Sequence, residues 1–330
     1  MELKRSCLDF LHVFNNFLTE TNQELRDVLK KMIKFHYIKR KYLYIVMSQN
    51  KESNNTVHAD VSDFIRFMNQ HVVSKDEHGE YPPNTAITHT TFNDIILGTR
   101  SYQVLDSELT TFYNLYHQDI YRKTKPASYN IIEQHSEVGP LIVDIDFKFD
   151  DRVIKKDSKG NIQRQFTDVH IRSIVDAYMT EIENTFNIDR TGNKLLAFVF
   201  TREAPYYDQA RNIYKDGIHI YFPNIVSLPE PQFMIRENVI RRVDKEKLLD
   251  GISHINELSD VFDKAVIQKS GIYIFMSTKV KLQPYYMRVI YEANRDRIDD
   301  MDVINDMTGK NTGYFFNVHI LLSLKSEAQV

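Results

Sequence analysis

LIVDIDFKFD, residues 141 to 150, decides how this chain is organised. An apolar run carries two carboxylates, Asp144 and Asp146, and then breaks into charge. In an extended strand, residues i and i+2 project from one face, roughly 6.6 to 7 Å apart. Asp144 and Asp146 are therefore expected to point together, with Val143, Ile145 and Phe147 on the opposite face. Two ionised carboxylates this close repel and raise each other's pKa unless a cation sits between them. Hard divalent cations, Mg²⁺ or Mn²⁺, take oxygen ligands and suit one or two carboxylates plus substrate phosphates. The pattern predicts a metal–nucleotide site at a strand end. The plain structural alternative is two surface aspartates where a strand leaves the core.

The composition around this stretch is that of a globular protein. Of 330 residues, 42% are hydrophobic and 26% charged, the formal net charge is −3, and Trp is absent, so Tyr and Phe carry the aromatic packing. No apolar run approaches the roughly 20 residues that cross a bilayer. The start, MELKRSCLDFLHVF, has an acidic residue and no small-residue cleavage site, so a secreted protein is not expected. The single cysteine, Cys7, excludes an internal disulfide and a multi-cysteine zinc cluster. An intracellular, reducing compartment is the simple inference. The slightly acidic balance argues against a protein that coats nucleic acid wholesale but allows a local basic groove. Positive charge clusters at Lys30, Lys31, Lys34, Lys39, Arg40 and Lys41, at Lys155, Lys156 and Lys159, and at Arg236, Arg241 and Arg242. A solvated helix face or hairpin tip accounts for each cluster taken singly.

Residues 1 to about 50 read as helix. Its basic part interleaves Phe35, Tyr37, Tyr42 and Tyr44 with charge. That pattern fits an amphipathic helix covering the main domain or a phosphate-and-base contact surface. A second helix is expected from Asp60 to about Val73, and KDEHGEYPPN is a linker or long turn. AITHTTF reads as strand and SELTTFYNLYHQDIY as helix. Asp157-Ser158-Lys159-Gly160 forms the turn of a polar hairpin. Thr167 caps a helix whose stripe is Ile171, Ile174, Val175, Tyr178 and Ile182. LLAFVF and GIHIYF are buried strands, Gln232–Leu249 is a charged amphipathic helix, and VFDKAV and GIYIFMSTK bring the chain back to the sheet. The order predicts a helical N-terminal part on an α+β core.

Three further features bear on the aspartates. KDGIHIYFP sets His219 in an apolar strand, with Lys215 in the approach to that strand. A lone strand histidine is more often a packed core residue. Beside a lysine and a metal site it becomes a candidate triphosphate ligand. DVFDKAV supplies Asp263, a carboxylate able to complete a three-aspartate, two-metal site, and FMSTKV supplies Lys279, a cation at a strand end. No GxxxxGK[ST] motif is present, so no P-loop ATPase is expected in these residues.

The order of paired aspartates, strand histidine, aspartate and lysine resembles the archaeo-eukaryotic primase superfamily. The closer resemblance is to the primase part of primase–helicases of nucleocytoplasmic large DNA viruses, of asfarvirus or poxvirus type. ITHTTF, GTRSYQV, FYNLY, GPLIVDIDFKF and KDGIHIYFP carry it, from about Ala86 to about Lys281. The resemblance implies an α+β fold with a mixed-sheet, RRM-like prim-pol core. It implies an N-terminal helical region over 1–85, a catalytic core over 86–295, and an extension over 296–330 leading to a helicase part of the same polypeptide, assembled as a hexamer.

It further implies a template-directed primase acting on single-stranded DNA with NTPs or dNTPs, using two Mg²⁺ or Mn²⁺ ions. Asp144, Asp146 and Asp263 would be the catalytic metal ligands, and Lys215, His219 and Lys279 the contacts to the incoming nucleotide. The host cytoplasm, where such viruses replicate, is the implied location. Two departures stand out. Gly217 occupies a place where the family often has serine. Tyr273 stands where related primases often have arginine, a charge that Arg202 or Arg288 could supply. The basic hairpin of Lys155, Lys156 and Lys159 is either a template contact or a solvated tip. Two rivals complete the expectations: an inactive single-stranded nucleic-acid-binding module, and a metal-dependent glycosyltransferase.

Overall fold

The structure, a computed structural model, describes residues 61–121, 127–188, 195–268, 270–279, 282–298 and Ser323. The chain divides into two compact units, Met1–Asp60 and Val61–Val330, and the described residues belong to the second. The expected helix over the first 50 residues, the basic Lys30–Lys41 segment and most of 296–330 lie outside the described residues.

The alternation around Asp144 builds the central pair of strands. β5 (Gly139–Phe149) and β8 (Ile213–Ser227) run antiparallel, from Gly139 opposite Ser227 to Phe149 opposite Tyr214. With β6 (Ala197–Thr201), β9 (Phe262–Asp263), β11 (Tyr286–Tyr291) and β12 (Arg297–Ile298) they form a sheet ordered β12-β11-β6-β8-β5-β9. β7 (Tyr206–Asp208) pairs with the start of β8. On one face, Val143, Ile145 and Phe147 are at most 3% exposed. They pack with α3 (Asp168–Thr185) and α4 (Pro229–Glu246) through Ile171, Ile174, Val175, Ile235 and Val239. Each such buried side chain contributes about 1.5–3 kcal/mol. A one-residue slip would exchange them for Asp144 and Asp146, whose unpaired burial costs several kcal/mol. The register is therefore strongly specified.

A second antiparallel sheet is ordered β1-β3-β2-β4-β10: β1 (Val72–Val73), β3 (Gly98–Tyr102), β2 (His89–Asp94), β4 (Ile131–Glu133) and β10 (Ile272–Tyr273). Its core is aromatic. Phe64 of α1 (Asp63–Gln70) lies 4.9 to 5.5 Å from the rings of Phe112, Tyr116 and Tyr129, with α2 (Leu109–Ile120) providing the first two. The α+β architecture expected from the sequence is present, with helices covering one face of the larger sheet; where a mixed sheet was expected, the described strand pairs of both sheets are all antiparallel.

Three local expectations are corrected. GIYIFMSTK returns to the smaller sheet: β10 pairs with β4, while the Ile272 side chain packs against Ile142 and Phe198 of the larger one. Lys215 lies within β8, because the ladder with β5 continues to Lys148 opposite Lys215. Arg236, expected on a solvated helix face, is 4% exposed. GTRSY, unassigned in the sequence, is the strand β3.

Candidate active site

Residues directly opposed in an antiparallel ladder share a face. Asp144 is opposite Asp263 on one side and His219 on the other, and His219 is opposite Phe200. Asp263, Asp144, His219 and Phe200 thus form a row across four strands, on the face away from α3 and α4. Asp146 is opposite Gly217 in the next row on this face, and Lys215 follows beyond. The sheet brings together three aspartates, a histidine and a lysine that the sequence spreads over 120 positions at most.

Lys215 Nζ donates to Asp146 Oδ2 at 3.0 Å. Burial disfavours the Lys215 ammonium, but Asp146 and Tyr206 outweigh it, and its pKa is raised. His219 Nε2 lies 3.2 Å from Asp144 Oδ1, near enough for charge pairing, yet that oxygen is buried without an aligned hydrogen bond. Burial raises the Asp144 pKa, but the positive charge of His219, Lys279 and Lys215 prevails and holds it below the usual carboxylate value. Lys279 faces both carboxylates at the mouth of the site, 5.6 Å above the Tyr273 ring. Its side chain is solvent-exposed, while surrounding protein lowers its pKa against the pull of Asp146 and Asp144.

Arg202 is 6% exposed, donates to the Gln283 carbonyl and lies 4.1 Å from the Tyr285 ring. Its charge reaches Tyr273, whereas Arg288 is held by Asp168 at 2.6 Å. Of the two arginines considered in place of a basic residue at 273, Arg202 is the one at the site. Lys155, Lys156 and Lys159 are exposed around the expected turn, with Gly160 at φ +83°. Lys156 pairs with Asp151 at 3.2 Å and lies over Tyr214.

Several side chains that brace the strands of the candidate site escaped the sequence reading. Tyr285 stacks on His219 with ring centroids 3.6 Å apart. Arg236 donates to the carbonyls of Phe262, immediately before Asp263, and of Ser259, four residues before it. Asn256 bonds the Asp146 carbonyl at 2.9 Å and the Lys148 amide at 3.0 Å, completing the edge of β5 where β9 ends. Arg164 forks onto buried Asp216 at 2.8 and 3.0 Å on the core face. Nothing in the linear pattern marks these four, because each partner is remote in the chain.

The donor set is hard oxygen, and the Asp144 oxygen without an aligned donor fits a Mg²⁺ or Mn²⁺ ligand. Among the described residues, no three carboxylates or imidazoles form a metal cage by themselves. Substrate oxygens would have to complete the coordination.

A helix-backed antiparallel sheet carries three aspartates, a histidine and Lys215 on the face away from its helices, and this α+β arrangement agrees with a protein of the archaeo-eukaryotic primase type. Residues 88–291, well over half the chain, match the family described as "C962R protein N-terminal AEP domain", and the chain belongs to it. It is also 31% identical over 244 residues to "Putative helicase L207/L206" of Acanthamoeba polyphaga mimivirus. That alignment covers 73% of this chain and 24% of the relative, so the chain spans about a quarter of the relative's length.

Proposed function

We propose that this unit is a primase that joins nucleotides on a single-stranded DNA template. One observation carries the reading: β5, β8 and β9 set Asp144, Asp146, Asp263, His219 and Lys215 on one sheet face, the one turned away from α3 and α4, where His219 and Lys215 are buried and the three aspartates half-buried. Asp144, Asp146 and Asp263 are assigned as ligands of Mg²⁺ or Mn²⁺. When bound, two such ions supply charge stabilisation to the attacking and leaving oxygens. Lys215, His219, Lys279 and Arg202 are assigned to the nucleotide triphosphate, whose negative charge they offset. On this reading Lys215 exchanges its bond to Asp146 for a phosphate oxygen as the nucleotide enters. Positioning and fixed charge then do the work, and no general base is required. The larger polypeptide would carry a helicase part, assembled as a hexamer, and act in the host cytoplasm during viral DNA replication.

The existing contacts Lys215–Asp146 and His219–Asp144 also favour a second reading, an inactive single-strand-binding module whose carboxylates are already engaged by protein groups. Membership of the primase-type family leaves no support for a glycosyltransferase. The test is to incubate the protein with single-stranded DNA, labelled NTPs or dNTPs, and Mg²⁺ or Mn²⁺, beside an Asp144→Ala/Asp146→Ala variant. Short products from the wild type alone support the primase and identify its preferred sugar. Equal strand binding by both proteins without product supports the binding module.

A further inference from the structure

We propose that the outer face of the five-stranded sheet is the track along which a single-stranded nucleic acid approaches the candidate active site. The proposal deepens the primase reading and rests on it. Cross-strand partners define one row over this face: Val73, Ser101, Thr90, Ile132 and Tyr273. The row spans four strand spacings, roughly 19 Å. That is the length of a handful of stacked nucleotides at about 3.4 Å each. At one end Tyr273 lies beneath Lys279 and shares a small pocket with His219 and Tyr285. Tyr273 thus joins the end of this row to the residues assigned to the nucleotide.

Over the rest of the row, from Ile132 to Val73, lies an open depression of about 900 Å³. Its charged lining residues are Lys75, whose ammonium lies 5.0 Å from the Tyr81 ring, and Arg100, whose guanidinium donates to Asn69 at 2.8 Å beside the sheet; both are exposed, and no carboxylate lines the depression. Asp76, next to Lys75, is turned into its own loop by accepting from the amides of His78 and Glu80. Phe92, 60% exposed, and Tyr81 supply aromatic surface, while Thr90 and Ser101 supply hydroxyls. Cations with aromatic platforms are what an unpaired strand needs: phosphates meet charge and unstacked bases meet rings. A duplex keeps its bases inside and gives Phe92 and Tyr81 nothing to stack on. At the basic hairpin Lys156 is engaged by Asp151 and lies over Tyr214, and among the described residues no ring beside it is as exposed as Phe92, so the hairpin serves as the comparison surface.

The experiment measures binding of a fluorescein-labelled oligothymidylate, and of the same strand annealed into a duplex, to the full chain by anisotropy across a salt series. Three variants are compared: Lys75→Ala/Arg100→Ala, Phe92→Ala, and Lys155→Ala/Lys156→Ala/Lys159→Ala. All the altered side chains are exposed, and matched thermal melts check that folding is retained. The double variant is expected to bind about tenfold more weakly, with the salt slope reduced by about 1.4 for two lost cations. Phe92→Ala is expected to weaken binding about fivefold or more. The hairpin variant should bind as wild type does. Wild-type binding and slope in the two groove variants, loss confined to the hairpin variant, equal preference for duplex, or no strand binding at all would each overturn the track. Catalysis is not read in this assay. Failure of nucleotide incorporation would defeat the primase reading while leaving the strand-binding result to stand by itself.

Discussion

The ring of Tyr285 lies nearly flat on the imidazole of His219, with 20° between planes, and its hydroxyl stands over Gly217. A Cβ added at Gly217 would meet the Tyr285 hydroxyl at 2.8 Å and the Ile145 carbonyl at 2.7 Å. The carbonyl belongs to the β5 ladder and cannot step aside, so a serine side chain at 217 has no room here. Gly217→Ala is expected to cost about 1–3 kcal/mol through this overlap. It should also weaken nucleotide binding by displacing Tyr285 from His219. Urea unfolding and a nucleotide titration measure the two effects. An unchanged unfolding midpoint would show that the strands yield easily.

Asp144→Asn and Asp263→Asn keep side-chain volume and remove charge. Each is expected to lower nucleotide incorporation by about a hundredfold or more, with the folded state retained by circular dichroism. Retained incorporation would remove both residues from the machinery.

Asp144 also has a defined pH signature. Its pKa lies below the ordinary value because nearby positive charge outweighs burial. The stability it contributes is present above the unfolded carboxylate pKa and is lost as pH falls through the depressed folded value. Asp144→Asn should therefore flatten the acid limb of the stability–pH curve.

Arg236 is a positioning residue for Asp263. Its guanidinium holds the carbonyls of Ser259 and Phe262 at once, with Nε 2.8 Å from the latter. Lysine cannot reproduce that fork. Arg236→Lys is expected to cost about 2 kcal/mol and to raise the Mn²⁺ concentration needed for half-maximal incorporation. Destabilisation with an unchanged Mn²⁺ requirement would leave Arg236 a purely structural residue.

His117 provides a second pH dependence, away from the candidate site. Burial lowers its pKa from 6.5 to about 4. The unfolded chain takes up the proton first, so stability falls as pH drops from about 6.5 towards 4, by about 1.4 kcal/mol per unit at most. His117→Asn should shrink the difference between urea midpoints measured at pH 7 and pH 5.

The strand carrying Asp144 and Asp146, the helix behind Thr167 and the alternation that puts both aspartates outside were all legible in linear order. Each depends on a period of two or of 3.6 residues within one segment. The buried fork of Arg236 was not, because its carbonyl partners lie more than 20 residues further on. Tyr273 and Lys215 were placed in the wrong surroundings for a related reason. The extent of a strand is set by the strand beside it, and the end of the apolar run does not mark it.

By itself, then, the sequence determined which side chains share a face, since backbone stereochemistry repeats locally and hydrophobic burial selects the register. Only the tertiary structure decided which faces meet. Asp263 reaches Asp144, Tyr285 covers His219, and the row from Val73 ends at Tyr273 because distant strands pair. Those pairings follow from packing over the whole core, which no single segment encodes.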